Sequence, residues 1–430
     1  MRLRFLFFLL VLVALPAAAE VRSLTLRQAV ALAIQQNPDL LIARFDEVKA
    51  QQAVREARDP FLPKVIVGSG LAYSNGFPLS IEGSAPSIVR ADARQTLFSR
   101  ELSYRAAKAR EEARGAGIDL QGRREDAALR AANLFLDTSR ATRMKLVAER
   151  QAESLERVAE VIRVLVAEGR ELDVEAKKIA ARVAQAKHRA ASMARDVDYL
   201  ESSLALVLGF PPQDRARPVD DESAPVRTPA DEDAAVAAAL ATSKELKSLE
   251  SKMQASMLES KSNAAARLPK VDLVAQYGLF ARFNNYDDFF RRFQRNNGQL
   301  GVSIQVPIVA GPAAQARQAQ ADSESARLRL EMNHRRNSIA LSTRRAYQDI
   351  RTAESLREVA KLDFEAARAH SGVILANFEE GKASLRQMEE ARFDENEKWI
   401  LYLDAQHNLE KRRLALLKET GDLIAAVTLE

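Results

Sequence analysis

Cysteine is absent from this 430-residue chain, which excludes disulfides, thiolate nucleophiles and cysteine-held metals. Aromatic residues are only 6% of it. The apolar share comes mainly from alanine, valine and leucine, a composition of long packed helices rather than of a compact β domain. Histidine is scarce: His188, His334, His370 and His407 are scattered, with no i, i+4 pair of the kind that binds zinc. There is no phosphate loop, no dinucleotide fingerprint and no nucleophile elbow. Net charge is low, +5 from 64 basic and 59 acidic residues, and no basic tract is interleaved with aromatics, so nucleic acid is not an expected partner. These absences point to a protein without catalytic residues, metal ligands or cofactor.

Long hydrophobic runs are missing too, save one. Arg2 and Arg4 precede an unbroken apolar run over 5–15, Pro16 breaks it, and Ala17-Ala18-Ala19 offers a small-residue cleavage site before Glu20. Residues 1–19 therefore read as a signal peptide, the run being too short to cross ~30 Å of hydrocarbon. No later segment approaches eighteen consecutive apolar residues. The expected product is exported without a spanning helix, and any membrane passage falls to β-strands.

What the chain does have is a repeat. The stretch 28–40 is echoed at 234–246, and Leu62-Pro63-Lys64-Val65 at Leu268-Pro269-Lys270-Val271, both 206 positions on. Gly169 is echoed by Gly381 and Gly209 by Gly421, each 212 positions on. This spacing predicts a first repeat over 20–209, a proline- and charge-rich linker over 210–230 and a second repeat over 231–430. Each repeat reads as a helical stretch (24–58, then 231–266), two strands, and a long helical hairpin tipped by a glycine.

Strand signals are period-two alternations. Val65, Val67, Leu71 and Tyr73, then Val89, Ala91, Ala93 and Leu97, serve the first repeat; Val271, Leu273, Ala275, Tyr277 and Leu279, then Leu300, Val302, Ile304, Val306 and Ile308, serve the second. Between the last two lies an aromatic, charged loop over 283–298. Segments of 10 to 12 residues suit tilted barrel strands, and two strands alone make no stable soluble sheet. Neither 101–168 nor 313–380 contains proline, so each is expected to form a helix of about 100 Å. The first hairpin carries a heptad through Met144, Ala148, Gln151, Leu155, Val158, Ile162 and Leu165, resuming at Leu172, Ala176, Ile179 and Val183. In the second, Leu362, Ala366, Ala369, Val373 and Ala376 are the expected seam, facing Trp399, Tyr402, Leu409 and Leu416.

Together the signal peptide, the two repeats, Leu24-TLRQAVALAIQQNP-Asp39, the paired Leu-Pro-Lys motifs and the two tips resemble the TolC family of outer-membrane efflux proteins. That resemblance implies a mainly α fold with a small membrane β-barrel contribution. Four strands per subunit would make a 12-stranded barrel in a homotrimer, beneath it a trimeric helical barrel. It implies location in the outer membrane with a periplasmic extension. The partners it implies are outer-membrane lipid, a periplasmic adaptor protein and an inner-membrane pump, for a passive channel of a tripartite efflux or type I secretion system. Adaptor docking would fall on the tips: Gly169, Arg170, Leu172 and Asp173, with Gly381, Lys382, Ser384 and Leu385. The periplasmic gate would use Glu175, Phe378 and Glu390; Gln387 stands where the family carries an acid. The alternatives are a periplasmic adaptor, with one hairpin between small β domains, or a structural coiled coil, which needs no strands.

Overall fold

The computed structural model describes residues 20–70, 87–219, 229, 231–280, 294–308 and 312–428. The expected signal peptide, Leu71, Tyr73 and positions 283–293 of the aromatic loop lie outside the described residues. The chain divides into two units, one of residues 1–40, 124–239 and 342–430, the other of 41–123 and 240–341. Two helices of 68 residues, α3 (Arg100–Ala167) and α7 (Pro312–Glu379), dominate the secondary structure. Each returns through a shorter helix, α4 (Asp173–Val207) and α8 (Leu385–Thr420). Among the described residues no helix is long and apolar enough to cross a membrane.

In the first unit, the expected opening helix is preceded by a strand and broken in two. Strand β1 (Val21–Leu24) pairs in parallel with β4 (Arg215–Pro218), which lies inside the stretch read as a linker. A Thr25–Gln28 capping box then starts α1 (Leu26–Gln36). Pro38 opens α2 (Pro38–Arg58); a proline has no N–H to continue α1 and disfavours helical backbone at the residue before it. Asn37 is accordingly non-helical, with ψ 126. Helix α1 sits between two cores. Ala29 and Ala33 join Ala131, Phe135, Leu204 and Leu208, while Val30 and Ile34 join Ala128, Leu414, Leu417 and Leu423. Alanines fully hidden from solvent recur in both, so these helices approach closely. In the second repeat α5 (Glu232–Thr242) buries Ala235 with Ile350, Leu409 and Leu416.

Four glycines have positive φ: Gly169, Gly209, Gly381 and Gly421. Each ends a long helix in a Schellman motif. At the ends of the hairpins, Gly209 N–H donates to the Leu206 carbonyl and Phe210 N–H to that of Ala205, matched by Gly421 to Lys418 and Asp422 to Leu417. The sequence repeat is thus a repeat of helix ends.

Of the first hairpin's expected seam, Met144, Ala148, Val158 and Ile179 are buried, while Leu172 at the tip is exposed. The second is corrected. Leu409 and Leu416 of α8 are buried as expected, but Leu362 and Val373 are more than half exposed, and the buried positions in that stretch of α7 are Ala367 and Ser371. Phe364, beside them, stacks on Tyr402 of α8 with ring centroids 6.2 Å apart. Two apolar stripes run along α7, and the more hydrophobic one faces away from α8.

In the second unit, β2 (Lys64–Gly70), β3 (Ser87–Ser99), β5 (Lys270–Phe280) and β6 (Asn296–Gln305) form one antiparallel sheet in the order β2-β3-β5-β6. Val306 and Ile308, expected in the last strand, lie beyond its end. The register sorts the side chains. Val65, Ala93, Ala275 and Leu300 align across the strands, as do Leu273 with Val302 and Val271 with Ile304. On the other face Asp92, Gln276 and Gln299 align, then Thr96, Asp272 and Ser303. Buried Asp272 accepts from the Thr96 hydroxyl at 2.9 Å. Helix α6 (Lys244–Ala265) buries only small side chains, serines at 248, 251, 256, 260 and 262 with Ala255 and Ala265; Ser256 donates to the Ala321 carbonyl at 2.9 Å and Ser260 to Asp322 at 2.6 Å.

Candidate functional site

At the first tip, Gly169 N–H donates to the Val166 carbonyl at 3.0 Å and Arg170 N–H to that of Leu165 at 2.8 Å. At the second, Gly381 donates to Phe378 at 2.9 Å and Lys382 to Asn377 at 2.7 Å. Their φ values are 72° and 73°, and a Cβ at either would meet nothing within 4 Å. Each tip cation pairs with the acid two residues before it, Arg170 with Glu168 at 3.2 Å and Lys382 with Glu380 at 2.5 Å.

The returning helices start differently. Ser384 caps α8 by a capping box: its Oγ accepts from Gln387 N–H at 3.3 Å while Gln387 Oε1 accepts from Ser384 N–H at 2.9 Å. Gln387, where an acid was expected, is therefore engaged in holding the helix start. Leu172 opens α4 with no side-chain cap and is 71% exposed. Asp173 follows in the first turn, where the helix dipole favours an anion, and pairs with Lys177 at 2.7 Å. Leu385 and Phe378 are half-buried.

Two of the expected gate residues meet around a third that sequence reasoning missed. Arg386 donates to Glu390 at 2.9 Å. Glu175, on the other hairpin, accepts from Lys178 at 2.7 Å. That bond, with the charges of Lys178, Arg386 and Arg182, holds the Glu175 carboxyl below the ordinary range. The Arg386 guanidinium is shifted up, chiefly by its bond to Glu390 and further by Glu175. The i, i+4 spacing of Arg386 and Glu390 was the available signal. Neighbouring Glu389 is half-buried: burial pushes its carboxyl up, against the pull of Arg392 and Arg157, and its Oε1 has no hydrogen-bond partner among the described residues. The tips thus offer a surface of charge pairs bridging two hairpins. Among the described residues no group of three or more His, Cys, Asp or Glu could hold a metal ion.

Residues 235–422 match the family model described as outer membrane efflux protein. No curated protein matches the chain. Among solved structures, the CmeC outer membrane channel of Campylobacter jejuni aligns with a TM-score of 0.76 and 12% identity over 93% of this chain and 86% of that one. The VceC outer membrane protein of Vibrio cholerae aligns at 0.73 and 14%, over 94% and 96%. The open state of the MtrE outer membrane channel of Neisseria gonorrhoeae aligns at 0.72 and 14%, over 94% and 91%. At such identities the likeness is one of fold, and it runs through both repeats. The family model is seated on the second repeat, and the fold shared with these channels continues through the first.

Proposed function

We propose that the chain is an outer-membrane channel subunit, a passive export conduit that works as a homotrimer with a periplasmic adaptor and an inner-membrane pump. The observation that carries this is the sheet. One face aligns aliphatic side chains across all four strands and leaves them uncovered, with Val65 66%, Leu300 78% and Ile304 67% exposed. The opposite face is mostly charged and polar, with Lys64, Arg90, Asp92, Arg94, Gln276 and Gln299 on it beside Ile66 and Val274. Lipid on the first and water on the second satisfy both. Among the described residues, edge strands β2 and β6 each have one neighbour, and unpaired backbone groups are not tolerated in hydrocarbon. Pairing β6 of one copy with β2 of the next, three times round, closes twelve strands without an edge.

A second feature supports association between copies. Val359, Leu362, Ala366, Ala369, Val373 and Ala376 lie exposed on α7 at alternating spacings of three and four, the signature of a helix seam awaiting a partner. In this reading Glu175, Phe378, Gln387 and Glu390 gather at the periplasmic gate with Arg386. The tips from Gly169 to Asp173 and from Gly381 to Leu385 meet the adaptor. Purified protein in planar bilayers tests the proposal. Stepwise conductance from a species that scatters light as a trimer is expected; a soluble monomer without conductance overturns it.

A further inference from the structure

Between the two hairpins runs a groove of about 970 Å³, lined by α3, α4, α7 and α8. Its charges do not cancel. Five arginines and three glutamates line it. Arg182 faces Glu175 and Arg392 faces Glu389, while Glu390 is taken by Arg386 from outside the groove. Arg150, Arg189 and Arg368 have no ion-pair or hydrogen-bond partner among the described residues, and only the Glu395 carboxylate is left to set against them. The same walls carry three aromatic rings, Phe364, Phe393 and Trp399, in a chain only 6% aromatic.

Position along the hairpins brings these groups to one level. Arg150 stands 19 residues before Gly169 and Arg189 stands 20 after it. Counted from Gly381, Phe364 is 17 before and Trp399 is 18 after, Arg368 13 before and Phe393 12 after. At 1.5 Å per residue the set spans about 12 Å, the length of a two- or three-ring organic molecule. The volume is likewise that of a small-molecule site.

We infer that this groove binds an amphipathic aromatic anion, its carboxylate or sulfonate held by Arg150, Arg189 and Arg368 and its rings laid against Phe364, Phe393 and Trp399. Guanidinium groups bind planar oxyanions in a bidentate fork, and in a half-enclosed groove that attraction is screened less than on an open surface. Aromatic walls select a flat apolar body.

Trp399 is the chain's sole tryptophan, so its emission reports on this groove. The full chain in detergent is titrated with anilinonaphthalene sulfonate, following energy transfer from Trp399, with neutral phenylnaphthylamine as control. Saturable transfer to the sulfonate is expected, with the neutral amine at least tenfold weaker. The triple variant R150Q/R189Q/R368Q should weaken the sulfonate by about tenfold or more, a loss of charge-assisted hydrogen bonds, without moving the neutral amine. The R150K/R189K/R368K variant, which keeps charge and fold but loses the fork, should fall between. Equal binding of both probes, or sulfonate affinity unchanged in either triple variant, overturns the site. So does the absence of transfer in the assembled wild type, which would mean that a neighbouring copy or a protein partner fills the groove.

Discussion

The Asn37 side chain donates to the Val207 carbonyl at 2.8 Å, tying the break between α1 and α2 to the end of the first hairpin. Two residues on, Gly209 turns with φ +78 so near α1 that a Cβ there would stand 2.4 Å from the Gln36 carbonyl oxygen. Gly169 has nearly the same φ in open space. Replacing each by alanine separates backbone strain from steric overlap. Gly169→Ala should cost about 1–2 kcal/mol, the left-handed penalty alone. Gly209→Ala adds overlap with backbone that cannot swing aside, and should cost roughly 3 kcal/mol or more. Urea midpoints of the two variants are the measurement; equal losses would show that the Gln36 turn yields freely.

Features that repeat over many residues were legible in the sequence. Helices of 35 to 68 residues with a glycine at a fixed offset put both hairpin turns at the right residue, and sustained heptads located part of the first seam. Features made of few residues were not. Strands β1 and β4 have four residues each and pair across some 190 positions, too short for any period to emerge. The α7 side of the second seam was misplaced because hydrophobicity points to Leu362 and Val373, whereas Phe364 meets Tyr402 of α8 and the buried neighbours are Ala367 and Ser371. Ser256 and Ser260 in α6 look like surface residues until their hydrogen bonds are seen. At the tips, family spacing pointed to Glu175 and Glu390 but not to Arg386, because a cation between two hairpins leaves no local mark beyond its i, i+4 pair.

Asp137 gives the hairpins a dependence on pH. Burial raises its carboxyl, but hydrogen bonds to His407 at 2.8 Å and Lys411 at 3.0 Å outweigh this and hold it below the ordinary range. A carboxyl depressed in the folded state stabilises it fully above the unfolded value, about 3.9, and that contribution is lost as pH falls through the folded one. Thermal midpoints should therefore drop on acidification below about pH 4. Asp137→Asn should lower the midpoint at neutral pH and flatten the drop; a slope identical to wild type would remove Asp137 from the acid response.

The two sheet faces predict opposite tolerance to charge. Leu300 and Gln299 are neighbours in β6 and point to opposite sides. Leu300→Arg should cost about 2–4 kcal/mol of insertion if that face meets the bilayer midplane. Gln299→Arg should insert normally and alter only ion selectivity. Folding into vesicles, followed by gel mobility without boiling, reads both; equal insertion of the two would reject the lipid assignment.

If the proposed gate lies here, Arg386 is expected to restrain it in the closed state, because it bonds Glu390 and lies within the field of Glu175 on the other hairpin. Arg386→Ala leaves two carboxylates facing each other without a cation between them. Single-channel conductance should rise, most at low salt, where like-charge repulsion is screened least. A conductance equal to wild type at low salt would show that this pair does not hold the gate.

Leu172 offers a substitution that separates docking from folding. It occupies the N-cap of α4 without giving a side-chain hydrogen bond and is 71% exposed. Aspartate is among the best N-cap residues, since its carboxylate accepts from the open N–H groups of the first turn and complements the helix dipole. Leu172→Asp should leave stability unchanged or raise it by about 0.5–1 kcal/mol. The same change places a charge where an apolar contact is proposed with the adaptor. Leu385, half-buried at the matching position of the second tip, cannot be used this way, because its replacement would also disturb packing. The expected phenotype of Leu172→Asp is a trimer of wild-type or higher thermal midpoint that no longer cross-links to adaptor and no longer supports export. Wild-type export from that trimer would remove Leu172 from the docking surface.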